Sequence, residues 1–195
     1  IVGNYLIQEY CKSNSINALL NLPSFNHANL IFTQKKNAYI NEQVMRPVDI
    51  KEFNFRASFQ TERDFASHSG RSKDIINNWN DDKKTFRYIN RVRFYHEDYP
   101  LYVDMSIVKS STSKNRVQIP KYTIQEANVF DNREEYEIEI ELNNSDHRIG
   151  YYNPENLDFV LNSIKKAIRI ILSGLQNTKF PISYNEIDDI KLEYF

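Results

Sequence analysis

The spacing of apolar positions changes period twice along the chain. From Asn4 to Leu22 the apolar residues Leu6, Ile7, Tyr10, Leu19 and Leu20 fit the buried positions of a helix, which Pro23 ends. The period then falls to two. Asn29 to Gln34, Ala38 to Met45, Glu52 to Gln60, Thr85 to Tyr95, Leu101 to Ser110, Tyr122 to Val129 and Glu135 to Asn143 alternate as strands do and are rich in Ile, Val, Phe, Tyr and Thr. Between the third and fourth of these, Ser72 is placed to cap a short helix reaching Trp79. Helical spacing returns after Asn153 and Pro154, an N-cap and first-turn pair. Leu157, Val160, Leu161, Ile164, Ile168, Ile171 and Leu172 then share a face, and Gly174 is placed to close the helix. Ser183 with Glu186 makes a capping box for a last helix. The pattern predicts an α+β fold, an antiparallel β-barrel with flanking helices.

Composition narrows the class. A chain of 195 residues, 41% hydrophobic and 13% aromatic, is long enough for one well-buried core and predicts a single domain over residues 1–195. Its mean hydropathy is -0.63, and no uninterrupted apolar run nears the roughly 18 residues of a membrane span. The lone Cys11 excludes an internal disulfide and a cysteine zinc site, which fits a reducing, intracellular compartment. A start at Ile1 and a stop at Phe195 in mid-pattern read as a piece of a longer chain.

A net charge of -1 gives the whole molecule no nucleic-acid-coating character, but the charge is unevenly placed. Thr85 to Gln125 carries seven Lys or Arg against three acids, a balance of +4, and Glu126 to Val160 carries ten acids against two Arg, a balance of -8. A basic block followed by an acidic one suits a site that holds a polyphosphate together with its bridging metal. Two oppositely charged solvated faces would look the same.

The most informative stretch is Tyr136 to Leu142. Strand alternation puts Glu137, Glu139 and Glu141 on one face and Ile138, Ile140 and Leu142 on the other. Facing solvent, three such carboxylates merely repel one another. Inside a closed barrel they need a divalent cation, or Lys and Arg from opposite strands, and all-oxygen ligands favour Mg²⁺ or Mn²⁺. The opposite strands offer those partners. Arg87, Arg91 and Arg93 share one parity, Tyr102, Asp104, Ser106 and Val108 share a face of the next strand, and Lys109 lies across from them unless a bulge or bend re-aims it. Arg56 sits at the centre of Phe53 to Phe59 with Asn54 and Ser58 on its side and aromatics opposite. These parities predict an enclosed polar face, with the packing groups outside it.

Several stretches resemble a known family, the metal-dependent RNA 5′-triphosphatase domains of fungal and large DNA virus mRNA capping enzymes, within the triphosphate tunnel metalloenzymes. Tyr136 to Leu142 is similar to the family's carboxylate strand, and Phe55-Arg56-Ala57-Ser58 to its aromatic-Arg-Val-Ser strand. Thr85 to Phe94 followed by Tyr102 to Ser111 resembles a viral strand pair in order and spacing. Gln176 to Ser183 resembles the link toward a guanylyltransferase domain, so that 175–195 leads to a following domain. The likeness covers roughly residues 50 to 195.

The resemblance implies a triphosphate-tunnel barrel and removal of the γ-phosphate from the 5′-triphosphate end of nascent mRNA, the first step of cap formation. Glu137, Glu139 and Glu141 would hold Mg²⁺ or Mn²⁺ and orient water. Arg56, Arg87, Arg91, Arg93 and Lys109 would grip the triphosphate, and Asp104 would orient a basic neighbour. The implied partners are 5′-triphosphate RNA and guanylyltransferase and methyltransferase domains of the same or an associated chain, with no membrane. The implied setting is the host cytoplasm, in a viral factory, or a virion. The family's second Glu-x-Glu strand, which precedes its first helix, has no counterpart in residues 1–49. The expectation is that the chain starts just after it. The alternative is a degenerate, non-catalytic tunnel that binds RNA 5′ ends or braces a neighbouring capping domain.

Overall fold

In the computed structural model the strand-forming stretches do not join into one sheet. Residues 1–115, 117–146, 148 and 154–194 are described. Contacts divide the chain into two compact units, the first made of Ile1–Arg46, Phe59–Ile89 and Val108–Glu135, the second of Pro47–Ser58, Asn90–Ile107 and Tyr136–Phe195.

In the first unit the opening helix is broken into α1 (Asn4–Ser13) and α2 (Ile16–Leu20). Asn14 takes the left-handed conformation at φ 53, and the Ser15 side chain then accepts from Ala18 N to start the second helix. β1 (Phe32–Asn37) leads to the short pair β2 (Tyr39–Ile40) and β3 (Gln43–Val44). Asn41 and Glu42 between them have φ of 48 and 66, the geometry of a tight hairpin turn. β4 (Val48–Ile50) and β5 (Phe55–Ala57) form a ribbon in the second unit. Back in the first unit, β6 (Gln60–Phe65) pairs antiparallel with β1 and carries a cross-strand Lys35–Glu62 ion pair and a Thr33 to Asp64 hydrogen bond of 2.6 Å. α3 (Gly70–Asn77) is capped by Ser69, not by Ser72, whose buried hydroxyl donates to Ala66 O at 2.8 Å.

The core of this unit is a continuous apolar cluster. Leu6, Tyr10, Ile16 and Leu19 from the helices pack with Leu30, Phe32, Ile76 and Phe86 and with Ile124, Ala127 and Val129. The last three fall in the stretch expected to be a strand. Instead residues 122–129 wind through turns, with Ala127 N donating to Thr123 O and Asn128 left-handed at φ 53. Burial of every second or third residue in a turn imitated strand alternation.

β7 (Arg87–Tyr95), β8 (Leu101–Ser110) and, after the small ribbon β9 (Ser113–Lys114) and β10 (Val117–Gln118), β11 (Glu135–Leu142) make a sheet in the order β11-β8-β7. The short connection 96–100 makes β7 and β8 antiparallel neighbours. Asn143 N donates to Pro100 O, joining the end of β11 to the start of β8, which is again antiparallel. α4 (Pro154–Gln176) and α5 (Tyr184–Tyr194) complete the second unit. The expected cap Asn153 lies outside the described residues. Gly174 does not end α4: Asn177 does, left-handed at φ 52, with Thr178 N on Ser173 O and Asn177 N on Gly174 O, a Schellman ending. Ser183 caps α5 as expected, its hydroxyl accepting from Glu186 N at 3.2 Å. Gln176 Nε2 donates to Ile182 O and its Oε1 accepts from Ile182 N, tying the intervening link back on itself.

The expected antiparallel barrel is overturned. Among the described residues there are four two-stranded ribbons and one three-stranded sheet, and none closes on itself. The cause is local. β2 to β5 are two or three residues long; left-handed Asn41 and Glu42 separate β2 from β3, and left-handed Asn54, at φ 51, stands just before β5. Strands that short cannot pass a hydrogen-bonded ladder around a ring. Asn54 also splits the stretch Glu52 to Gln60, expected as one strand, into a 3-10 turn over Lys51–Phe53 and then β5. No helix among the described residues is long and apolar enough to cross a membrane.

Candidate metal and phosphate site

One face of the β11-β8-β7 sheet gathers charge, and it does so through strand parity alone. Arg91 and Arg93 from β7, Asp104 and Ser106 from β8, and Glu139 and Glu141 from β11 meet there, all within the second unit. At the centre is Asp104, with a side chain 0% exposed. Arg93 grips it with both arms, Nε to Oδ1 at 2.7 Å and Nη2 to Oδ2 at 2.6 Å. Arg91 Nη1 approaches the same Oδ2 at 3.0 Å, and its Nε donates to Ser106 Oγ at 3.1 Å. Each arginine also reaches a second carboxylate: Arg91 donates to Glu139, and Arg93 to Glu141 at 2.8 Å. The ring of Tyr102 lies under the Arg93 guanidinium, 4.6 Å from its centroid.

The electrostatics follow from this geometry. The hydrogen bonds from Arg93 hold the Asp104 carboxyl below the usual carboxylate range, against the opposing effect of burial, with the charges of Arg93 and Arg91 adding to the depression. Asp104 in turn holds the Arg93 guanidinium above its ordinary value. Asp104 therefore stays ionised in an almost water-free position.

Carboxylate oxygens of Asp104, Glu139 and Glu141 lie within 4.8 Å of one another, so three ligands could close on one cation after small side-chain rotations. Hard oxygen donors from carboxylates match Mg²⁺ or Mn²⁺, which also keep several water ligands and so tolerate an open site. The donor set fits such an ion. The oxygens are, however, the ones that the two guanidinium groups hold.

The other expected site residues are placed elsewhere or differently. Glu137 lies on β11 with the parity of Glu139 and Glu141 but outside the three-carboxylate group. Arg56 Nε and Nη2 donate to Asp49 at 2.6 and 3.0 Å on the β4–β5 ribbon. Lys109 belongs to the first unit, where it donates to Phe130 O at 2.7 Å and faces Glu134 at 3.8 Å. Arg87 also falls in the first unit. Sequence reasoning gave Asp104 only an orienting role, whereas its oxygens join the possible ligand set, and it gave Ser106 and Tyr102 no role. The signal for all three was their common parity on β8.

The expected enclosure of the polar face is corrected too. Only Asp104 and Ser106 are buried, while the Arg91 and Arg93 side chains are 34% and 43% exposed. With no closed barrel around it the face opens to solvent. The opposite face, expected to pack, leaves Val92 56% and Phe94 50% exposed, with Met105 and Ile107 exposed beside them in the alternation.

No protein-family model, curated protein or solved structure matches the chain. The likeness to capping-enzyme triphosphatases thus stands on the residue patterns alone.

Proposed function

We propose that the charged face of the β11-β8-β7 sheet is a divalent-metal site for hydrolysing a phosphoanhydride, and that its substrate is the 5′-triphosphate end of RNA. The observation that carries this reading is the convergence of Asp104, Glu139 and Glu141, three oxygen ligands, with Arg91 and Arg93 on one open surface. The substrate is taken from the order of the motifs along the sequence, not from the geometry.

In this reading Asp104, Glu139 and Glu141 hold the ion. A bound divalent cation supplies charge neutralisation at phosphoryl oxygens and a more acidic water. The planar, permanently charged guanidinium groups of Arg91 and Arg93 bind two non-bridging phosphate oxygens each and align the γ-phosphorus. Tyr102 fixes the plane of Arg93 from below. Water attacks phosphorus in line, the bond from phosphorus to the β,γ-bridging oxygen breaks, and the products are diphosphate-ended RNA and inorganic phosphate.

A second reading has its own observation. Arg91, Arg93 and Arg56 all have carboxylate partners already, as in a structural ion-pair network. A non-catalytic domain that binds RNA ends or braces a neighbouring capping domain would be built that way. Phosphate release from γ-labelled triphosphate RNA, with Mg²⁺, Mn²⁺ or chelator, separates the two. The hydrolase reading expects metal-dependent release that Glu139→Ala abolishes; RNA binding without release in any metal supports the second.

A further inference from the structure

The three carboxylates and two arginines form a continuous chain, Glu139–Arg91–Asp104–Arg93–Glu141, with one net negative charge. Arg91 spans Asp104 and Glu139, and Arg93 spans Asp104 and Glu141. These are the carboxylates whose oxygens are close enough to share an ion. A guanidinium and a metal ion cannot both take the same oxygen lone pairs in full, so the two kinds of cation compete. Added to the five groups, a divalent ion changes the net charge from one negative to one positive. The first state repels a polyphosphate, and the second attracts it.

On the strength of the metal-site reading, we infer that Arg91 and Arg93 are an internal counter-ion for the three carboxylates: they hold these oxygens until a divalent cation displaces them, and the displaced guanidinium groups then become the anion receptor. Three features of the site make this displacement feasible. The arginines are over a third exposed at their outer sides and can swing toward solvent. Neither depends on a single partner, since each bridges two acids. Asp104, being fully buried, needs a cation at all times, and the ion replaces one for another without stranding it. Metal and phosphate then bind with positive coupling, and each raises the affinity of the other by the same factor.

The consequence runs against the usual result of removing a site residue. Arg91→Gln and Arg93→Gln, measured singly with Mn²⁺ alone, remove the competitor and tighten Mn²⁺ binding by about tenfold. The same variants lose the response to inorganic phosphate, which in the unaltered chain tightens Mn²⁺ by roughly fivefold or more. Arg56→Gln, on the separate ribbon, leaves both unchanged. Mn²⁺ occupancy is read from loss of the free-ion electron paramagnetic resonance signal, with circular dichroism as the folding control; each single variant leaves the other arginine on Asp104, so either one serves if the other misfolds. Mn²⁺ binding that is equal or weaker in both arginine variants overturns the counter-ion role while leaving the metal site standing. No Mn²⁺ binding in any chain overturns the metal site itself, and this inference with it.

Discussion

The two units keep opposite things away from water. In the first, Leu19, Ala127 and Val129 sit at the centre of an apolar cluster sealed by Tyr10 and Phe86, and the Trp79 ring stands edge-on to Tyr10 with Nε1 donating to the Tyr10 hydroxyl. Among the sheet residues that belong to the second, the most deeply buried side chain is the carboxylate of Asp104, and the apolar Val92, Phe94 and Met105 face solvent. Apolar burial is non-directional and largely indifferent to pH, whereas a buried carboxylate is stable only while its arginines stay in place. The first unit is therefore held by contacts that dissolved ions do not enter, and the charged sheet by contacts that they can. The proposed exchange of one cation for another depends on that contrast.

Substitutions at the two centres test the comparison most strongly. Leu19→Ala opens a cavity in the apolar cluster and is expected to destabilise the first unit by about 3 kcal/mol. The single tryptophan, Trp79, reports on that unit through its contact with Tyr10, so thermal unfolding followed by its fluorescence checks this directly. Asp104→Ala leaves Arg91 and Arg93 on Glu139 and Glu141 alone. The expected loss is about 2 kcal/mol, below the full cost of a stranded buried charge because both arginines are partly solvated. It should appear in the amide signals of β7, β8 and β11 before the Trp79 emission changes; the reverse order would break the comparison.

Acid and alkali should attack different units. Asp104 is held below the ordinary carboxylate value by Arg93, so its contribution is present above the unfolded pKa, about 4, and is lost as pH falls through the folded value. The Tyr10 hydroxyl is pushed up to about 12 by burial, the Trp79 hydrogen bond opposing this. Its contribution is complete below the unfolded value, about 10, and is lost as pH rises through the folded one. Nuclear magnetic resonance at both extremes should find the charged sheet loosening in acid and the Tyr10–Trp79 contact loosening in alkali. The smallest effect is expected at Arg56→Ala, which breaks a solvent-exposed pair with Asp49 and should leave the unfolding midpoint unchanged within error.

Much of the charged sheet was legible in the sequence because its information is local. β8 runs from Leu101 to Ser110 as the alternation predicts, and parity groups Arg91 with Arg93, Asp104 with Ser106, and Glu139 with Glu141 on their own strands. What parity cannot give is how far a sheet extends, since that depends on pairing with distant strands. The barrel expectation failed at Asn41, Glu42 and Asn54, whose left-handed backbones interrupt stretches that the apolar pattern would have run through as single strands. β6 was invisible for the opposite reason. Gln60 to Phe65 has almost no apolar alternation and becomes a strand through charged and polar pairs with β1, such as Glu62 with Lys35. The break after α1 likewise depends on a distant partner: Asn14 Oδ1 accepts from Ile124 N at 3.0 Å, and its Nδ2 donates to Gln125 at 2.7 Å. The network itself was not legible either. Sequence offered Glu137, Glu139 and Glu141 as equals, but the three-dimensional set is Asp104 with the last two.

The central claim, that the charged face of this sheet takes a divalent cation, is tested most directly by anomalous diffraction from crystals soaked in Mn²⁺. The account predicts one manganese peak bonded to oxygens of Asp104, Glu139 and Glu141, with Arg91 and Arg93 turned away from them. Guanidinium groups still closed on all three carboxylates at saturating Mn²⁺, with no peak on this face, would contradict it.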